Sequence, residues 1–342
     1  MTQVSECTVL KLRSIDPLAL RGHSVQSTPN SGGFGGNRVL RIGTRGSPLA
    51  LAQAGQVRER LIALHGLARE TIALEIIRTT GDVIVDRPLA EAGGKGLFTK
   101  EIDDALIAGR IDLAVHSAKD LPTALAAGLA IAAVPPREDA RDVFISRIAA
   151  RLPALPHGAV VGTSSLRRQA LVKRMRPDLT VTNFRGNVET RLRKIEAGEV
   201  DATLLALAGL KRLGMQQAVT AILEIDEFLP AVGQGIIAVV TRAHDESVRM
   251  LVAGINDAAS HAALTAERAF LDVLDGSCRT PIAGYARIDS EGLQFRGLIA
   301  KPDGTELIDI ARAGAPADAA RIGADAGREL KARAGPGFFD RR

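Results

Sequence analysis

The chain has 342 residues, enough for two or three domains with cores of their own. Hydrophobic residues make up 46% and charged residues 24%, the balance of a globular protein, and aromatics only 3%, too few for a base-stacking nucleic-acid surface. The net charge of +5 fits nucleic acid, an acidic membrane or an anionic small molecule as partner, and it is spread along the sequence and not gathered in a basic block. The longest non-polar run, about 124–134, is shorter than the ~20 residues of a membrane span. Two cysteines, Cys7 and Cys278, form no disulfide framework and no metal-ligand spacing, which fits a reducing cytoplasm.

Residues 1–37 show no periodicity and end in a Ser/Gly/Asn cluster. They read as a disordered extension without the apolar h-region of a secretory signal. From Val39 a rhythm of strands and helices begins. Val39–Gly43 reads as a strand. Pro48 opens a helix to about His65, with Ser47 as N-cap. A strand follows over Ile72–Arg78, a helix over Phe98–Ala108 stopped by Gly109, and a strand over Asp112–Val115.

A second unit begins near Arg141. Strands are expected at Val160–Gly162, Thr180–Phe184 and Ala202–Leu205, alternating with helices at Ser165–Met175, Asn187–Ala197 and on to Leu213. A turn-rich loop, Leu229 to Gly235, leads to a strand at Ile236–Thr241, and helices are expected near 245–254 and 259–274. Then the pattern changes: Ile282–Ile288, Leu293–Ala300 and Glu306–Ala311 read as consecutive strands before a final helix to about Arg333. The fold class is α/β, two lobes with parallel or mixed sheets, plus a small α+β C-terminal domain.

The chemistry gathers at strand ends. His116-Ser117-Ala118-Lys119-Asp120-Leu121-Pro122 puts a lysine and an aspartate just past a buried strand, where open α/β sheets bind ligands. Arg41-Ile-Gly-Thr-Arg45-Gly-Ser47-Pro offers an arginine and a helix start to an anion. Gly93-Gly-Lys95-Gly-Leu-Phe98 is a glycine-rich loop with a reaching lysine but lacks P-loop spacing. Gly162-Thr-Ser-Ser165-Leu-Arg167-Arg168 and Phe184-Arg185-Gly-Asn-Val-Glu-Thr-Arg191 repeat the arrangement, and Lys211-Arg212 add positive charge. Each alone could be a solvated basic helix start. Together they predict a cleft for a multiply charged anion, since arginine pairs bidentately with carboxylates. Asp275-Gly-Ser-Cys278-Arg279-Thr-Pro sets a thiol beside a cation. No histidine is placed to make a Cys/His pair with it, which leaves covalent attachment as its sharper role.

These seven stretches, counting Leu229-Pro-Ala-Val-Gly-Gln234-Gly, occur in the order found in the porphobilinogen deaminase family, which the chain resembles over about 39–335. The resemblance implies two lobes similar to those of periplasmic binding proteins, 38–136 with 236–255 and 140–230, and a third domain, 258–342, carrying the cysteine. It implies a dipyrromethane cofactor held by a thioether to Cys278. Four porphobilinogen molecules would be added to that primer with loss of ammonia, and hydroxymethylbilane released by hydrolysis, in haem biosynthesis. Asp120 would be the catalytic carboxylate and would also contact the cofactor. Ser117, Lys119, Ser165, Arg167 and Arg168 would hold the cofactor, and Arg45, Ser47, Lys95, Arg185, Arg191 and Arg212 the substrate, with Gln234 a weaker candidate. His116 is expected to be structural. No metal is implied, and a cytoplasmic monomer is expected. The family often has glutamine where this chain has Arg279. A two-lobed protein that traps an anion without chemistry is the rival reading, which intact mass would separate by the absence of added dipyrromethane.

Overall fold

The chain is described by a computed structural model over residues 39–83, 96–274 and 281–338. Lys95, Cys278, Arg279 and the 1–37 extension lie outside these residues. The first sheet grows from the Arg41-rich segment: β1 (Leu40–Thr44), α1 (Pro48–His65), β2 (Ile72–Ile76), the single turn α2 (Thr80–Val83), α3 (Lys100–Ile107), β3 (Leu113–Ser117) and β4 (Leu129–Ala133). Ser47 caps α1 as its sequence suggests, accepting from the Ala50 N–H, and Pro48 takes the first helical position. Gly109, at φ 70°, ends the run after α3 in the left-handed conformation.

The chain then crosses into a second sheet built from β5 (Asp142–Ser146), β6 (Val160–Gly162), α4 (Leu166–Met175), β7 (Thr180–Thr182), α5 (Val188–Glu196), β8 (Ala202–Ala206), α6 (Leu207–Arg212) and β9 (Ala221–Leu223). It returns as β10 (Ile237–Arg242) and α7 (Glu246–Ala253). The strand orders are β2-β1-β3-β10-β4 and β7-β6-β8-β5-β9. In each sheet the first three strands are parallel, and the fourth, β10 or β5, is antiparallel to both its neighbours. That fourth strand is the one reached by crossing from the other sheet. So two backbone segments, 134–141 and 224–236, join the lobes, and the carboxyl ends of β1, β3, β6 and β7 lead to the turns that carry the polar motifs.

The remainder is α8 (Ala258–Val273), the meander β11 (Ile282–Asp289), β12 (Gly292–Ala300), β13 (Leu307–Gly314), and α9 (Ala319–Ala334). Phe270 of α8 and Phe295 of β12 pack with ring centroids 5.0 Å apart, in the core between helices and sheet. Gly323 lets α9 close on α8: a Cβ there would lie 1.9 Å from the Ala266 carbonyl oxygen. Strands β4, β5 and β9 are not anticipated by the sequence pattern. β4 is Leu-Ala-Ile-Ala-Ala, with no polar alternation, and β9 has only three residues.

One side chain of this third unit holds both crossings. Glu267 of α8 is fully buried. Its Oε1 lies 2.5 Å from Arg137 Nη1 of the first crossing and accepts the Ala286 N–H at 2.8 Å. Its Oε2 accepts the Gly233 N–H of the second crossing at 2.6 Å. Arg137 Nε donates in turn to the Gln234 carbonyl at 2.9 Å, and its guanidinium lies over the Tyr285 ring. Removing one partner of a buried pair strands the other charge. Glu267→Gln should therefore lower unfolding free energy by about 3–5 kcal/mol in denaturant titration. A loss below about 1 kcal/mol, the value of an ordinary surface pair, would show that the carboxylate does not hold the crossings.

Candidate active site

The turn after β3 supplies the acidic group. Val115 and His116 are buried, Ser117 is half-buried, and the chain then makes a short 3-10 turn over Ala118–Asp120 that leaves Lys119 and Asp120 exposed. Leu121 is buried, which pins the far end of the turn. Asp120 lines a pocket with Arg45, Ser47, Gln53, Phe98, His116 and Ser117. The Arg45 guanidinium stacks over Phe98, 4.1 Å from the ring centroid. Ser117 Oγ meets the side-chain amide of Gln53, accepting from Nε2 at 2.8 Å and facing Oε1 at 3.1 Å. Gln53 is buried on α1 and went unnoticed in the sequence, although one amide within Leu-Ala-Leu-Ala-Gln-Ala was a visible signal.

The guanidinium wall comes from the start of α4. Ser165 caps that helix, accepting from the Arg168 N–H. Arg167 and Arg168 are buried rather than displayed, and between them lies the fully buried Asp142. Its Oδ1 accepts from Arg168 Nη2 at 2.7 Å and Nε at 3.1 Å, and its Oδ2 faces Arg167 Nη2 at 2.7 Å. Arg167 also donates to the Leu229 carbonyl and Arg168 to that of Leu204, both at 2.8 Å. Burial would raise the Asp142 pKa, but the two guanidiniums hold it down at about 2. One carboxylate facing two guanidiniums leaves the cluster one positive charge in excess. Arg167 Nε is buried with no hydrogen-bond partner. Asp142 was invisible in the sequence because it opens β5, a strand the pattern did not reveal.

Gln234, from the second crossing, completes the contact between lobes. Its Nε2 donates to the Ala140 carbonyl at 2.7 Å and to Asp142 Oδ1 at 3.1 Å, and its Oε1 faces Lys119 Nζ at 3.5 Å. Protein crowded around the Lys119 ammonium, then Arg168, pushes its pKa down to about 8, although solvent still reaches the side chain.

Further cations border this boundary. Arg191, on α5, donates Nε to the Gly186 carbonyl at 2.9 Å. Arg212, on α6, donates Nη2 to the Gly235 carbonyl at 2.7 Å. Neither is ion-paired with a carboxylate among the described residues. Burial lowers both pKa values to about 10, and Arg168 and Arg185 add to the effect at Arg191. Arg45, Ser47, Ser117 and Asp120 thus line one pocket. Lys119, Arg167, Arg168 and Gln234 lie where the two sheets meet, with Arg185 and Arg191 near Arg168. Arg212 stands beside the second crossing.

Comparison with known proteins gives two family matches. Residues 40–250 match "Porphobilinogen deaminase, dipyromethane cofactor binding domain", and residues 261–332 match "Porphobilinogen deaminase, C-terminal domain". The chain is 61% identical over 301 residues to porphobilinogen deaminase from Nitrobacter winogradskyi, covering 88% of this chain and 95% of that one. It is 55% identical to the chloroplastic porphobilinogen deaminase of Oryza sativa subsp. japonica, covering 88% and 86%. A periplasmic substrate-binding protein of an ABC transporter from Coxiella burnetii aligns with 64% of this chain and 92% of its own, at 14% identity and a TM-score of 0.41.

The pocket also contains a pH-sensitive element. His116 is 5% exposed, and its Nε2 has no hydrogen-bond partner. Burial, then the charge of Arg45, lowers its pKa to about 4 from the ordinary 6.5, so it is neutral at pH 7. Between those values the unfolded chain binds the proton and the folded one does not. Stability is therefore complete above about pH 6.5 and falls as pH drops toward 4, by about 3 kcal/mol. His116→Phe should flatten this dependence in denaturant titrations at about pH 7 and 4.5. An unchanged slope would show that another group carries it.

Proposed function

The chain belongs to the porphobilinogen deaminase family, and on that premise we propose that porphobilinogen units are joined where its two sheets meet, with Asp120 as the catalytic residue. It is a transferase of tetrapyrrole and haem biosynthesis with a dipyrromethane cofactor. The family reaction condenses four porphobilinogen molecules head to tail with loss of ammonia and releases hydroxymethylbilane by hydrolysis. When bound, the cofactor supplies the pyrrole α-carbon on which the chain is extended.

The observation that carries the reading is the surplus of buried and half-buried cations at the boundary between the sheets, beside the exposed Asp120. A dipyrromethane bears acetate and propionate groups, and the described residues fit it. Arg191 and Arg212 are half-buried and, among the described residues, form no ion pair with a carboxylate, Arg167 Nε lacks an acceptor, and the Asp142 cluster retains excess positive charge. Each charge-assisted bond to a carboxylate would contribute about 1.5–3 kcal/mol. In this reading Ser117, Lys119, Ser165, Arg167 and Arg168 hold the cofactor. Arg45, Ser47, Lys95, Arg185, Arg191 and Arg212 receive the substrate's carboxylates. Cys278, between the end of α8 and the start of β11, is the attachment point.

Asp120 has the opposite task. Loss of ammonia leaves the substrate's pyrrole electron-poor, and a carboxylate near its N–H stabilises the developing cation and holds the proton. At about 4 Å and an effective dielectric of about 20, that attraction is about 4 kcal/mol. It amounts to about three decades of rate if it acts only in the transition state. Arg45 lines the same pocket, so substrate carboxylates have a cation close to the carboxylate that serves the ring.

The proposal extends to the partition of the chain into 38–136 with 236–255, 140–230 and 258–342, and to a monomer in the cytoplasm. The scarcity of cysteine supports a reducing compartment. No helix among the described residues is long and apolar enough to cross a membrane.

Two variants test the assignments. Asp120→Asn should retain the cofactor by intact mass while kcat falls about 100- to 1000-fold. A rate within about threefold of wild type would remove Asp120 from the chemistry. Cys278→Ser should lack the dipyrromethane mass and the colour it gives with an aldehyde reagent, and a normal adduct in that variant would refute the attachment.

A further inference from the structure

We propose that Asp142 is a positioning residue for the cleft: it holds Arg167 and Arg168 in one orientation and, through the Gln234 amide, aims Lys119 across the boundary between the sheets. Asp142 stands at a structural junction. It ends the first crossing and opens β5, where its backbone pairs with Ala206 of β8 on one side and Leu223 of β9 on the other. Its backbone is thus fixed by two neighbours, and its carboxylate can serve as a reference point for side chains that are otherwise long and rotatable.

The contacts engage both oxygens of that carboxylate, Oδ1 by hydrogen bonds and Oδ2 by the Arg167 ion pair alone. Arg168 approaches Oδ1 through Nε and Nη2, a side-on grip that fixes the plane of the guanidinium. Arg167 meets Oδ2 through Nη2 while its Nη1 goes to the Leu229 carbonyl. With both ends of that guanidinium engaged, Nε is the group left without an acceptor. The same Oδ1 accepts from Gln234 Nε2, which also donates to the Ala140 carbonyl. Two acceptors on the amine side settle the amide's orientation, so Oε1 is the atom turned to Lys119. At 3.5 Å this last contact is a charge–dipole attraction more than a short hydrogen bond. Its direction is nevertheless set by Asp142 on the far side of the amide.

The charges that bear on Lys119 are Asp120 on its own turn and Asp142, Arg167 and Arg168 from the second sheet. The two carboxylates favour the ammonium, and the two guanidiniums disfavour it. Removing the Asp142 charge leaves Lys119 facing two uncompensated guanidiniums and an amide held only by the Ala140 carbonyl and a weaker acceptor at position 142. The ammonium then loses its proton at lower pH, and the guanidiniums lose their common reference.

This inference rests on the cleft reading above, but it can be tested without turnover. Full-length wild type, Asp142→Asn and Gln234→Leu, compared in the same cofactor state by intact mass, are labelled with trace acetic anhydride between about pH 6 and 11. Peptide mass spectrometry then gives the titration midpoint of Lys119. The midpoint should fall by about one unit in Asp142→Asn and by less in Gln234→Leu. In Asp142→Asn, KM for porphobilinogen should also rise about tenfold, as expected for mis-set cations. A Lys119 midpoint at the wild-type value in both variants would overturn the proposal, even if thermal stability had dropped, because Asp142 would then only support the fold. Should Asp142→Asn fail to fold, Gln234→Leu decides alone, since it leaves both Asp142–arginine pairs in place. A wrong assignment of Asp120 would appear as unaltered kcat in Asp120→Asn and would leave the labelling result unchanged.

Discussion

Two fully buried carboxylates, Asp142 and Glu267, set the conditions under which the rest of this structure can exist. Ionised groups can be taken out of water only where cations and N–H donors meet them. Glu267 meets a guanidinium and two backbone amides, and those partners belong to the first crossing, the second crossing and β11. Asp142 meets two guanidiniums and an amide, drawn from α4 and the second crossing. Glu267 therefore ties together the two segments that join the sheets, and Asp142, at the foot of the first segment, ties the second to α4. Gln234 belongs to both systems: its carbonyl takes Arg137, the partner of Glu267, and its side chain takes Asp142.

This arrangement follows from the topology. Each sheet receives its antiparallel strand from a chain that has just left the other sheet, so the crossings are anchored inside both sheets. A displacement of one lobe against the other is felt at residues 134–141 and 224–236, the second of which carries Gln234. The geometry of Lys119 and the guanidinium wall is in this way coupled to the placement of the lobes through a few named contacts.

How much of this was legible in the sequence depended on range. Signals local to a few residues were read correctly: Ser47 before Pro48, Gly109 after α3, and the alternation of strand and helix. The motifs themselves pointed to an anion cleft. What was not legible is long-range. Arg167 and Arg168 looked like displayed cations because nothing local shows that Asp142, more than twenty residues earlier, is inserted between them. β5 was missed because Asp-Val-Phe-Ile-Ser reads equally as part of a connection, and only its pairing with β8 and β9 makes it a central strand. Arg137 and Glu267 carry no local signal of their pairing for the same reason: each lies 130 residues from its partner.

The balance of charge at the boundary follows from these two kinds of contact. Where a cation holds the lobes together, as Arg137 does, a carboxylate of the protein compensates it. Where cations line the cleft, compensation is incomplete: one carboxylate serves Arg167 and Arg168, and among the described residues Arg191 and Arg212 donate to backbone carbonyls and form no ion pair. Their pKa values, lowered to about 10 by burial, record the cost of that arrangement. A ligand with several carboxylates would relieve it at several points at once, with the cations already placed and little reorganisation left to make. Complete neutralisation within the protein would remove that gain, whereas loss of Asp142 would leave the wall too strongly charged and without a fixed geometry. A single buried carboxylate between two guanidiniums is the intermediate that keeps the wall both ordered and cationic.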